Sequence, residues 1–131
     1  MEKSIVLIID SSPLWAERFI SLLQGVDQVE NVLEAGSYTE ALTQLELKPH
    51  FVFLDIHLPG KSGIEILKFI KKNYPEMTTC VISNEVNSTV RELCKVLGAD
   101  EFFDKSNDFN KVPGFIKSNA NKKVKSKSKP L

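Results

Sequence analysis

Two short runs of this chain, Ile5-Val6-Leu7-Ile8-Ile9 and Phe51-Val52-Phe53-Leu54, are apolar without alternation, and each stops at an aspartate. A strand with no polar face must be covered on both sides. Parallel sheets meet that demand, because their crossover connections lay helices on each face. Neither run is long enough to span a bilayer. The first lies behind a lysine near the start of the chain, as a secretion signal would. It ends in Asp10 with no small-residue cleavage site, so it reads as a strand.

The segments between the apolar runs have helical spacing. Ser11-Ser12-Pro13 offers a hydroxyl cap and a proline for the first helical turn. Leu14, Phe19, Leu22 and Leu23 then recur on one face until Gly25. Residues 4 to 10, 29 to 35, 50 to 55, 78 to 83 and 101 to 104 are expected to be strands. Helices are expected after each, the second over 37 to 47 and the fourth over 86 to 97. The third carries Ile64, Leu67 and Ile70; the fifth carries Phe109, Val112, Phe115 and Ile116, with its start blurred by Pro113-Gly114. Five strands alternating with five helices predict a flavodoxin-like doubly wound α/β domain, a five-stranded parallel sheet in the order 2-1-3-4-5.

The 131 residues suit one domain, placed at 1–120. Residues 121–131 read as a disordered lysine-rich tail. Lys122, Lys123, Lys125, Lys127 and Lys129 balance an otherwise acidic body of about −5 in a chain of zero net charge. That tail is either a solvated end or a weak electrostatic contact for nucleic acid or an acidic partner; without aromatic residues it offers no specific nucleic-acid recognition. Cys80 and Cys94 are spaced unlike a metal site or redox pair and sit in apolar segments. Free thiols of this kind point to a reducing cytoplasm.

In such a fold, ligands bind beyond the carboxyl ends of the strands. The residues there are Asp10, Asp55, Ser83 and, just past the fifth strand, Lys105. Two carboxylates, a hydroxyl and an ammonium suit a hard divalent cation and a phosphoryl group. An aspartate can attack phosphorus to give an acyl phosphate. Lysine and metal would neutralise the transferring group while a hydroxyl binds one of its oxygens.

Phe51-Val52-Phe53-Leu54-Asp55-Ile56-His57-Leu58-Pro59-Gly60 with Gly63, then Val81-Ile82-Ser83, then Gly98-Ala99-Asp100 through Phe102-Phe103 to Lys105-Ser106, stand in this order. In these segments the chain resembles a response regulator receiver domain over roughly residues 3 to 118. The resemblance implies that Asp55 accepts phosphate from a histidine kinase or phosphotransfer protein. Asp10, Asp55 and the main-chain carbonyl of His57 would hold Mg2+, and Lys105 would pair with the phosphoryl group. Ser83 and Phe102 would be the switch residues. The face made by the fourth helix, fifth strand and fifth helix would meet a downstream protein, with homodimerisation left open.

Three positions depart from the family's pattern. Receivers usually carry two adjacent acids after the first strand, whereas this chain has Asp10-Ser11. A serine hydroxyl is a neutral ligand, weak or acting through a water, so magnesium is expected to bind less tightly and phosphorylation to be slower. Lys105 is followed by Ser106 instead of the common proline. Phe102 lacks a tyrosine hydroxyl.

The expected function is therefore a stand-alone phosphoacceptor in two-component signalling, not an enzyme. Its alternative is a degenerate receiver that binds proteins without phosphorylation. An aspartate-nucleophile phosphatase would need an acid where His57 stands. A flavin protein would need a phosphate-cradling loop that Ser11-Ser12 hardly supplies.

Overall fold

The computed structural model describes residues 3–85 and 87–128, with side chains described as far as residue 120. The chain runs β1 (Ser4–Ile9), α1 (Pro13–Leu23), β2 (Val29–Ala35), α2 (Tyr38–Leu45), β3 (Phe51–Leu54), α3 (Gly63–Asn73), β4 (Thr78–Ser83), α4 (Ser88–Val96), β5 (Glu101–Asp104), a 3-10 turn (Phe109–Lys111) and α5 (Val112–Ser128). All pairings are parallel and the strand order is β2-β1-β3-β4-β5, as the alternation of elements requires.

Side chains leave the central strands alternately up and down, so each strand feeds two cores. Leu7, Ile9, Val52, Leu54 and Val81 face one layer with Leu45, Ile66, Leu67, Ile70 and Cys94. Val6, Ile8, Phe51, Phe53, Cys80 and Ile82 face the other, with Phe19, Leu23, Val112 and Ile116. That second layer is aromatic: Phe53 packs at 5.6 Å from Phe19 and 6.1 Å from Phe103, and Phe103 meets Phe115 edge-on at 5.6 Å. Truncating a ring as buried as Phe53 to alanine costs about 3–5 kcal/mol. Both cysteines are free and buried, and burial pushes the Cys80 thiol well up, so neither is a ready nucleophile.

The helix starts follow their caps. Ser12 Oγ accepts from the Trp15 amide at 3.4 Å, with Pro13 in the first turn. Asn87 accepts from the Val90 amide, so α4 begins at Ser88, two residues after the expected start. Val86 lies outside the described residues. Asp10 and Asp55 fall one residue beyond their strands. Each keeps a ladder bond through its own amide, then accepts from the amide two residues on (Ser12 and His57, both 2.9 Å), which turns the chain out of the sheet.

One difference concerns the C-terminal segment. α5 continues to Ser128, eight residues into the stretch expected to lack structure. Four of the residues from 121 to 128 are lysine, a good helix former, and no proline falls there before Pro130. The tail's lysine side chains, and residues 129–131 altogether, lie outside the described ones. Among the described residues no helix is long and apolar enough to cross a membrane.

Candidate functional site

The strand order decides what meets what. β1 and β3 are neighbours in register, Ile9 opposite Leu54, so the residues that follow them, Asp10 and Asp55, emerge side by side. Lys105 enters from beyond β5 and lies buried between them. Its Nζ is 2.7 Å from Asp10 Oδ2 and 2.8 Å from Asp55 Oδ2. The contact to Asp55 is a directed hydrogen bond. Asp10 Oδ2 is buried and held by charge alone, with no well-directed hydrogen bond. Three ionised groups this far from water persist because each carboxylate faces the ammonium.

Ser83 ends β4, fully buried, with its Oγ accepting from the Glu85 amide at 3.0 Å. A hydroxyl that accepts one bond can donate another through its hydrogen. Phe102, on β5, is half-buried beneath the Arg91 guanidinium, 4.7 Å from the ring centroid. Ser11 is exposed at the mouth.

Several contacts around the site were not foreseen, although His57, Gly63 and Ser106 stand in the segments that carry the resemblance. His57 Nε2 pairs with Glu85 at 2.9 Å, joining the β3–α3 and β4–α4 loops across the opening. Ser106 Oγ donates to Asn84 at 3.3 Å, joining the β5–α5 loop to the same β4–α4 loop. Gly63 brings α3 against the turn after Asp55, where its amide donates to the Ile56 carbonyl at 2.9 Å. Trp15 sets its ring beside Lys105, with Nζ 4.9 Å from the centroid. These contacts join residues far apart in the chain, and periodicity carries no trace of them.

Among the described residues no three His, Cys, Asp or Glu side chains cluster as a metal site. Side chains therefore supply two carboxylates, with main-chain or water oxygens left to complete a shell. Magnesium tolerates that arrangement, and the buried, incompletely bonded Asp10 Oδ2 is an oxygen of the required kind. The residues present fit such an ion.

The sequence matches the family described as "Response regulator receiver domain" over residues 6–117. The chain belongs to that family. Receivers are the phosphate-accepting part of two-component signal transduction, take phosphate from histidine kinases, generally bind Mg2+, and are not enzymes in the usual sense. This receiver is 31% identical over 134 residues to a protein-glutamate methylesterase/protein-glutamine glutaminase of Carboxydothermus hydrogenoformans, covering 99% of this chain and 39% of that protein. It is 44% identical over 63 residues to the transcriptional regulatory protein BtsR of Salmonella typhi, covering 47% of this chain and 26% of that one. The chain thus spans well under half the length of these relatives. Its fold matches a solved CheY-like receiver protein of Methanospirillum hungatei with a TM-score of 0.84 at 21% identity, covering 95% of this chain and 99% of the other.

Proposed function

We propose that this receiver is phosphorylated on Asp55 and that the acyl phosphate switches binding of a protein partner. The observation that carries this reading is Lys105, buried between Asp10 and Asp55 at 2.7 and 2.8 Å. A lysine with no phosphoryl group to meet would more cheaply lie in solvent.

Asp10, Asp55 and the main-chain carbonyl of His57 would hold Mg2+, with Ser11 contributing weakly or through a water. Bound there, the ion would neutralise charge on the incoming phosphoryl group. Asp55 supplies the attacking oxygen; its other oxygen is oriented by the His57 amide or by Lys105. Lys105 would pass from the carboxylate to a phosphoryl oxygen, and Ser83 would donate its hydroxyl to another. Moving Ser83 toward the phosphate would break its bond from the Glu85 amide and free Phe102 to change rotamer. The readout would fall on the face of α4, β5 and α5, where Arg91 of α4 lies over the Phe102 ring of β5. The donor would be a phosphohistidine of a histidine kinase or phosphotransfer protein, whose P–N bond breaks as the Asp55 O–P bond forms and whose imidazole leaves.

A second reading follows from Ser11. With one carboxylate fewer, Lys105 neutralises much of the site by itself, which suits a receiver that binds partners without phosphate. The deciding experiment incubates the protein with acetyl phosphate and magnesium beside Asp55→Ala and Ser11→Asp, read on a phosphate-retarding gel. A magnesium-dependent band absent from Asp55→Ala is expected, with faster labelling of Ser11→Asp. Absence of a band from both the natural chain and Ser11→Asp would favour the phosphate-independent module.

A further inference from the structure

We propose that Trp15 is a positioning residue for Lys105, holding the side of the buried ammonium that the two carboxylates leave open. The inference deepens the phosphoacceptor reading and rests on it for its functional consequence. Its structural content stands on contacts alone.

Lys105 Nζ has Asp10 Oδ2 at 2.7 Å, Asp55 Oδ2 at 2.8 Å and the Trp15 ring centroid at 4.9 Å. An ammonium has three N–H groups, and of its two carboxylate contacts only that to Asp55 is a directed hydrogen bond. Position 11, where the family usually supplies a second carboxylate, is here an exposed serine. The face of an indole is the best neutral partner for a cation. Trp15 is itself well fixed. Its amide is capped by Ser12 Oγ, its ring meets Phe109 edge-on at 5.3 Å, and Arg18 lies over it at 4.7 Å. The ring is therefore a wall already in place, not a side chain recruited by the lysine.

A π-face suits this task better than a directed hydrogen bond. During phosphorylation the ammonium must leave the Asp55 carboxylate for a phosphoryl oxygen a short distance away. Attraction to a ring varies gently with lateral position, so Lys105 can shift and remain held. Lysine is otherwise a flexible four-carbon chain whose head would stray into water.

The test uses Trp15→Phe, which keeps an aromatic face, and Trp15→Leu, which keeps bulk without one. In 15N-labelled protein the protected Lys105 ammonium resonance, assigned by its absence from Lys105→Met, should persist in the natural chain and Trp15→Phe and vanish in Trp15→Leu. Labelling by acetyl phosphate should fall about tenfold in Trp15→Leu and mostly recover in Trp15→Phe, at similar melting temperatures. An ammonium resonance equally protected in Trp15→Leu would overturn the proposal. If Trp15→Leu fails to fold, the natural chain decides: Trp15 is the single tryptophan, and its emission must change in Lys105→Met. Unchanged emission would sink the idea. If the natural chain takes no phosphate, the phosphoacceptor reading falls while the resonance and emission results still judge the contact.

Discussion

A Cβ on residue 63 would lie 2.5 Å from the carbonyl oxygen of Asp55 and 2.6 Å from Ile56 Cα. Gly63 is thus the residue that lets α3 seat directly under the loop that follows Asp55. The atoms in the way are backbone, which cannot swing aside as a side-chain tip would. Gly63→Ala should destabilise the domain by about 1–3 kcal/mol. It should also slow acetyl phosphate labelling, because the turn that aims Asp55 must shift. Urea unfolding measures the first effect; a melt identical to that of the natural chain would refute the close packing.

Lys105 is the cation shared by Asp10 and Asp55, whose side chains are only 2% and 11% exposed. Removing it leaves two buried like charges in contact range. Lys105→Met should cost about 3 kcal/mol at neutral pH without divalent ions. Millimolar magnesium should restore much of that loss, and an equal ionic strength of sodium chloride should not. Unfolding midpoints with and without magnesium test it, and the stabilisation by magnesium must be larger in Lys105→Met than in the natural chain.

Much of this architecture was legible because it depends on patterns that the sequence carries locally. β2 and β4 span the residues that periodicity indicates, and the aspartates at 10 and 55 mark where the sheet ends. Two unalternating runs could only be buried on both faces, so helices on both sides followed. Family resemblance then supplied roles that strand ends alone do not. What stayed hidden depends on distance in sequence. The pairing of His57 with Glu85, the indole beside Lys105 and the tie from Ser106 to Asn84 arise only once three loops converge. The start of α4 was misplaced because Asn87 caps it, and hydrophobic spacing does not weigh caps. Hydrophobic spacing gave no sign that α5 runs on to Ser128, because a run of lysines lowers hydropathy without lowering helix propensity.

Asp104 holds the turn that delivers Lys105. Its carboxylate accepts from the Asn107 side chain at 2.8 Å and from the Ser106 amide at 2.9 Å, and these bonds draw its pKa below the ordinary 3.8. A depressed carboxylate contributes stability that is present above the unfolded value and is lost as pH falls through the folded one. Asp104→Asn keeps an oxygen for the amides but loses the charge. The variant should be less stable than the natural chain at pH 7, and the gap should close as pH drops below about 4. Parallel denaturant titrations between pH 7 and 2.5 would show it; a gap that is constant with pH would count against this role.

Ser106 occupies the place where receivers commonly have proline, and its contacts show what the exchange brings. Its amide donates to Asp104 Oδ1, a bond no proline can make, and its hydroxyl donates to Asn84, next to Ser83. A proline at 106 would also push Lys105 toward extended backbone. Ser106→Pro should therefore cost about 1–2 kcal/mol, the worth of two partly exposed hydrogen bonds. Ser106→Ala, which loses the hydroxyl alone, should cost less than half as much. The two variants separate the turn from the tie. Labelling kinetics should slow in Ser106→Pro, where the backbone carrying Lys105 moves, and change little in Ser106→Ala. Equal stability of Ser106→Pro and the natural chain would mean that the turn is held by Asn107 and Asp108 without help from position 106.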